Sequence, residues 1–229
     1  MISDILVTWP RNCDYPKWRQ FIRDNRQRFN EILVAFMNPN AGDDYRDFIK
    51  GAMFTDYVHF GDAPVPINNQ DWRDLAINSM LLHSYNAPWI WFTEQDFYPL
   101  AGFWDDVERL ENEGYEAIAA FQGNRMHPSC IFMTREVLNQ TKKDFGIIRD
   151  KADHFSKIQN DIEAAKIKIG KINPATYYHY NGLSQNMTLL SRDEKPNYEV
   201  PKFVEWLNEC LRVTVPLDKR FIGLAGKMQ

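Results

Sequence analysis

The sequence predicts an α/β protein with a mostly parallel central sheet flanked by helices on both faces. Strand-like and helix-like segments alternate along most of the chain, and the strand-like segments are nearly continuous hydrophobic runs, as strands covered on both faces require. At 229 residues and 27.0 kDa the chain is long enough for one substantial core and too short for two comfortable ones. One domain over 1–229 is therefore expected.

Ile5-Leu6-Val7-Thr8 opens as a short apolar strand that ends at Trp9-Pro10 and the polar loop Arg11-Asn12-Cys13-Asp14. Tyr15, Trp18 and Ile22 then recur at helical spacing, with arginines on the other faces up to Arg28. Glu31 to Met37 reads as a second strand, stopped by Asn38-Pro39-Asn40-Ala41-Gly42. A short helix from Asp43 to Lys50 leads to a third strand, Tyr57 to Phe60. Gln70 to Tyr85 is strongly helical, with Trp72, Leu75, Ala76, Met80 and Leu81 apolar, and Trp89-Ile90-Trp91-Phe92-Thr93 follows as the most hydrophobic strand of the chain. It should be central.

Further on, Phe103 to Asn112 reads as a helix, Ala117 to Phe121 as a strand, Cys130 to Met133 as another strand, and Arg135 to Gln140 as a short helix. Phe155, Ile158, Ile162 and Ala165 mark an amphipathic helix starting near Asp153. Ile167 to Ile172 and Thr176 to Tyr180 look like late strands or edge segments, and Tyr198 to Leu211 like an amphipathic tail helix.

Hydrophobic content of 44% with 14% aromatic residues excludes a disordered chain. A net charge of -4 and a pI near 5.8 argue against broad nonspecific binding to nucleic acid, which needs many cations facing phosphates. The sequence has no apolar run long enough for a membrane helix and no signal-peptide pattern at Met1-Ile2-Ser3-Asp4, so a soluble, cytoplasmic protein is expected. Cys13, Cys130 and Cys210 are odd in number and far apart, which suggests reduced thiols rather than a disulfide framework or a zinc site. No G-x-G-x-x-G, G-x-x-x-x-G-K-[ST] or G-x-S-x-G occurs, which disfavours a nicotinamide-binding dehydrogenase, a P-loop NTPase and an α/β-hydrolase.

Immediately after the most apolar strand stand Glu94, Gln95 and Asp96, beyond the carboxyl end of a middle strand, where open α/β sheets bind their ligands. In an extended segment side chains at i and i+2 point the same way, so Glu94 and Asp96 can present two carboxylates to one point. Hard oxygen ligands suit Mn²⁺ or Mg²⁺, which would bridge to phosphate oxygens and neutralise charge on a nucleoside-diphosphate leaving group.

Arg73-Asp74-Leu75-Ala76-Ile77-Asn78, followed by Trp89-Ile90-Trp91-Phe92-Thr93-Glu94-Gln95-Asp96, resembles the R-x-x-A-x-N helix and D-x-D motif of GT-A fold, family-2-like nucleotide-sugar glycosyltransferases. Ile5 to Asp14 resembles their first strand and nucleoside loop, and the match is best over residues 1–140. The resemblance implies a GT-A (Rossmann-like) sheet with a nucleotide-sugar-binding half at 1–121, an acceptor-side half at 122–190 and a small helical and edge-strand extension at 191–229. It implies metal ligation by Asp96 and Glu94, the glutamate departing from the family's aspartate, and by the late His179, with His127 in the Arg125-Met126-His127-Pro128 loop as a weaker candidate. Thr8, Trp9, Pro10, Arg11, Asn38 and Asp62 would line the nucleoside crevice, with Arg73 and Gln95 near the diphosphate. Ala152-Asp153-His154-Phe155 resembles the family's E-D motif without its glutamate, which makes Asp153 the general base toward the acceptor hydroxyl; an Asp at a helix start is also the expected N-cap.

The implied activity is metal-dependent transfer of a hexosyl or pentosyl group from a nucleoside-diphosphate sugar to an acceptor hydroxyl, the acceptor being a glycan, protein, small molecule or modified DNA base. The alternatives are a nucleotidyltransferase on a related sheet, a non-catalytic binding module that retained the fold, and an assembly protein using the stripe of Phe203, Trp206 and Leu207.

Overall fold

The computed structural model describes residues 1, 3–9, 24–36, 57–60, 77–78, 80–82, 84, 87–94, 97–146 and 155–179, with backbone alone for 8–9, 34–36, 57–60 and 98. Its strands are β1 (Ser3–Trp9), β2 (Phe29–Phe36), β3 (Tyr57–Phe60), β4 (Trp89–Glu94), β5 (Phe97–Pro99), β6 (Ala117–Gln122), β7 (Arg125–Thr134), β8 (Ile169–Lys171) and β9 (Tyr177–His179). Its α-helices are α1 (Phe103–Asn112), α2 (Arg135–Gln140) and α3 (Ser156–Ala164), and residues 77–78 and 80–82 are also helical.

Seven strands form one sheet in the order β3-β2-β1-β4-β7-β6-β8, while β5 and β9 form a separate two-stranded ribbon. The pairs β1–β2, β1–β4, β2–β3 and β6–β8 are parallel, and β7 runs antiparallel to β4 and β6. The mostly parallel sheet expected from the sequence is thus found, with one reversed strand inside it. The reversal comes from the β6–β7 hairpin, whose two connecting residues are Gly123 and Asn124, with Gly123 at φ +64° in the left-handed region such a turn needs.

β4 is buried along its whole length, and its side chains alternate between two cores. Trp91 stacks on Phe132 with ring centroids 4.9 Å apart, and packs with Phe29, Phe97, Phe103 and Trp104 on the α1 side. Ile90 and Phe92 join Leu6, Leu33, Ile131 and Met133 in the opposite core, closed by Ile77 and Met80, by Val137 and Leu138 of α2 and by Ile158 and Ile162 of α3. Helices therefore cover both faces of the sheet.

The bottom of the sheet is held by a buried ion pair. Asp4 is fully buried and accepts hydrogen bonds from Asn30 Nδ2 at 2.9 Å, Ser84 Oγ at 2.8 Å and Arg135 Nη2 at 2.6 Å. The Arg135 guanidinium also donates to the carbonyls of Ala87 and Ser84. One side chain at the start of α2 thereby ties β1 to the segment leading into β4.

The predicted elements at Tyr57 to Phe60, Phe103 to Asn112 and Arg135 to Gln140 coincide with β3, α1 and α2. β2 is Phe29–Phe36 rather than Glu31 to Met37, and other strand ends differ by one or two residues; three further differences bear on the site. β4 includes Glu94, so the first acid of the triplet is the last residue of the strand rather than beyond it. β7 starts five residues before Cys130. The helix expected from Asp153 starts at Ser156, because Phe155 takes φ +64° and serves as its N-cap. The helices predicted at Asp43 to Lys50 and Tyr198 to Leu211 lie outside the described residues, as does most of the one from Tyr15.

Removing the guanidinium while leaving Asp4 buried should be costly. Arg135→Ala is expected to lower the unfolding free energy in urea by about 3–5 kcal/mol, the usual penalty for orphaning a buried charge. A loss under about 1 kcal/mol would mean that water or another donor reaches Asp4.

Candidate functional site at the carboxyl end of the central strand

Glu94 ends β4 on the same face as Ile90 and Phe92, with 9% of its surface exposed. Ser129 of β7, next to Cys130, which lies opposite Thr93, donates its hydroxyl to Glu94 Oε2 at 3.0 Å. Thr93 donates its own hydroxyl to the Ser129 carbonyl at 2.8 Å. One carboxylate oxygen is thereby held in place by the reversed strand.

Gln95 and Asp96 lie outside the described residues, between Glu94 and Phe97. The next residues form β5, which pairs antiparallel with β9 so that Phe97 stands opposite His179 and Pro99 opposite Tyr177. Chain 83 residues beyond the triplet's end is thus returned beside it, with His179 opposite the residue directly after Asp96. His127 also arrives here, its ring 4.3 Å from that of His179 in a near-perpendicular contact.

A backbone contact sets the tautomer of His127. The Ser129 backbone N–H donates to His127 Nδ1 at 3.2 Å, so that nitrogen is an acceptor and the neutral ring carries its proton on Nε2. A ring in that tautomer donates a hydrogen bond through Nε2 and is poorly suited to bind a metal with the same atom. Among the described residues no three His, Cys, Asp or Glu side chains gather as a metal cluster; Asp96 lies outside that set.

Beside the histidines lies a cavity of about 230 Å³. Phe97, Phe121 and Tyr177 give it aromatic walls, and Gln122, His127 and His179 bring polar groups to it. Burial raises the Tyr177 phenol above its ordinary value, followed by the influence of nearby Cys130, against a hydrogen bond with the Phe121 backbone, so the phenol remains protonated at neutral pH. Ser129, Gln122, Phe121 and Tyr177 escape the sequence reading because only strand pairing assembles them. A signal did exist: Gly-Asn between two strand-like runs marks a two-residue hairpin that would have extended β7 back to Arg125.

Of the nucleoside-crevice candidates, Thr8 and Trp9 lie at the end of β1, with Thr8 in register with Glu94, so their backbone reaches the same sheet edge. Pro10, Arg11, Asn38, Asp62, Arg73 and Asp153 lie outside the described residues.

No protein-family profile matches the chain, and no curated protein sequence matches it. Solved structures do. Glucosyl-3-phosphoglycerate synthase from Mycobacterium tuberculosis, in complex with Mn²⁺ and uridine-diphosphate-glucose, superposes with a TM-score of 0.50 at 16% identity, over 86% of this chain and 81% of that one. The chain has the GT-A fold. At that identity the likeness is one of fold. TarS 1-349 from S. aureus matches at a TM-score of 0.49 and 10% identity, over 90% of this chain and 71% of that one. Among the described residues of this GT-A chain, no helix is long and apolar enough to cross a membrane.

Cys130 does not belong to the chemistry of this site. Burial drives its thiol far above the usual range, and hydrogen bonds with the Trp91 indole and the Ala120 backbone offset this only in part. In a Cys13→Ser/Cys210→Ser background the folded protein should not react with Ellman's reagent, whereas the denatured protein should react fully. Rapid reaction of the folded protein would contradict the burial.

Proposed function

We propose that this chain is a metal-dependent glycosyltransferase that moves a sugar from a nucleoside-diphosphate sugar to an acceptor hydroxyl. The observation that carries the reading is the β5–β9 pairing, which returns His179 to the end of the Glu94-Gln95-Asp96 triplet on a GT-A sheet. A carboxylate from Glu94, one from Asp96 and the His179 imidazole would together make a donor set that suits Mn²⁺ or Mg²⁺. Glu94 suits it because its carboxylate is nearly buried and already oriented by Ser129.

In this proposal Asp96, Glu94 and His179 hold the divalent ion, which when bound neutralises charge on the departing diphosphate. Thr8, Trp9, Pro10, Arg11, Asn38 and Asp62 take the nucleoside, with Arg73 and Gln95 near the diphosphate, so that residues 1–121 form the donor half. Asp153 takes the acceptor's proton as its oxygen bonds to the anomeric carbon and the bond to the diphosphate breaks. The following helix has Phe155 as its N-cap residue.

A thermal-shift panel of nucleoside-diphosphate sugars with Mn²⁺ or EDTA tests this directly. One donor should raise Tm by about 5–10 °C at ~100-fold excess over its Kd, in the presence of metal only. The same shift with EDTA, or an unchanged shift in Asp96→Ala, would overturn the metal-diphosphate reading. Asp153→Asn should keep the shift and lose transfer.

A further inference from the structure

Gln159 of α3 is only 7% exposed, beside the isoleucines Ile158 and Ile162 that the helix sends into the core. A buried amide costs free energy unless its polar atoms find partners. Here Oε1 accepts the Met126 backbone N–H at 2.9 Å, while Nε2 donates to the Asn124 carbonyl at 3.1 Å and to Glu163 Oε1 at 2.7 Å. Packing alone would be served by a leucine. The amide instead clasps the β6–β7 hairpin, at its turn and at the second residue of β7.

The clasp sits where β7 leaves register with β6. Phe121 pairs with Met126 and Ala119 with Ile131, so Ala120 alone faces the four residues from His127 to Cys130. Such a bulge bends its strand and re-aims the side chains within it. His127 and Ser129 both lie in it, and Pro128 between them has no N–H to give to a ladder. Met126 is the last residue in register before the bulge, and its N–H is the one that Gln159 takes. Beyond it, Ser129 donates its backbone N–H to His127 Nδ1 and its hydroxyl to Glu94 Oε2. Hydrogen bonds and a few residues of backbone thus connect α3 to the carboxylate that ends β4.

We infer that Gln159 is a positioning residue: by holding the Asn124 carbonyl and the Met126 N–H it fixes the β7 bulge, and so aims His127 and Ser129 at the carboxyl edge and keeps Glu94 in place. The consequence for a divalent ion rests on the function proposed above. The consequence for His127 does not.

Nitrogen-15 NMR of the histidine-labelled full chain, without metal and at about pH 8.5 where imidazoles are neutral, reads the His127 tautomer. Its signals are assigned by their loss in His127→Gln. The unsubstituted protein should show the Nε2–H form alone, and Gln159→Met, which removes the amide while filling the same space, should show both tautomers. In parallel, the Mn²⁺ concentration that gives half of the thermal shift with the tightest of UDP, GDP, ADP, CDP and dTDP should rise about tenfold, as when a metal ligand loses its supporting partner. A role confined to stability would lower Tm and move neither readout. Gln159→Glu sets a second carboxylate against Glu163 and the Asn124 carbonyl, and should move both readouts in the same direction. Adding Glu163→Gln should return them toward their original values, and this pair decides the matter if Gln159→Met does not fold. A single His127 tautomer or an unchanged Mn²⁺ requirement in the folded single variants overturns the inference, as does a failure of Glu163→Gln to restore them. If no nucleoside diphosphate gives a metal-dependent shift even in the unsubstituted protein, the donor proposal alone falls, and the tautomer decides the role of Gln159.

Discussion

β4 lies between β1 and β7 with a packed core on each face, and the site inherits its geometry from that confinement. A slip of one residue along β1 would move Trp91 out of the ring cluster of Phe29, Phe103 and Phe132, and Ile90 and Phe92 out of the opposite core. Both exchanges would leave large side chains in space shaped for others, at several kcal/mol each by the usual scale of core disruption, roughly 2–5 kcal/mol. The strand has one tolerable register. Glu94 is therefore delivered to the sheet's carboxyl edge, and Thr93, bonded to the Ser129 carbonyl, fixes the last pair before it.

The reversed strand β7 gives that edge its second component. A parallel neighbour would end at the same edge as β4, whereas an antiparallel one begins there and carries His127 and Ser129 past Glu94 on its way down. The β5–β9 ribbon gives the third, by returning His179 to the residue after the triplet. At the opposite end of the sheet Asp4 and Arg135 perform the corresponding anchoring, a buried charge pair in which each carboxylate oxygen is satisfied. Rigidity at one end and convergence at the other follow from the same strand order.

Much of this was legible in the sequence where burial on both faces leaves a continuous hydrophobic run. Trp89 to Thr93 announces a central strand, and α1 shows in the helical spacing of Phe103, Val107 and Leu110, the residues it buries. The first half of β7 was hidden because Arg125, His127 and Pro128 interrupt the apolar pattern, and His127 faces the cavity rather than the core. The start of α3 was misread for a local reason. An aromatic residue at φ +64° is uncommon, and a propensity argument prefers Asp153 as the cap over Phe155. Ser129 and Tyr177 carry no motif; their neighbours exist only after the sheet has formed.

The central claim is that Glu94, Asp96 and His179 converge on one divalent ion at the end of β4. Anomalous diffraction at the manganese edge, from crystals grown with UDP and Mn²⁺, measures this most directly. The account predicts a single strong peak within ligand distance of Asp96 and His179, with Glu94 on the same side and phosphate oxygens completing the shell. UDP seated at this edge with no manganese beside it, or manganese bound to the diphosphate but to none of the three side chains, would contradict it.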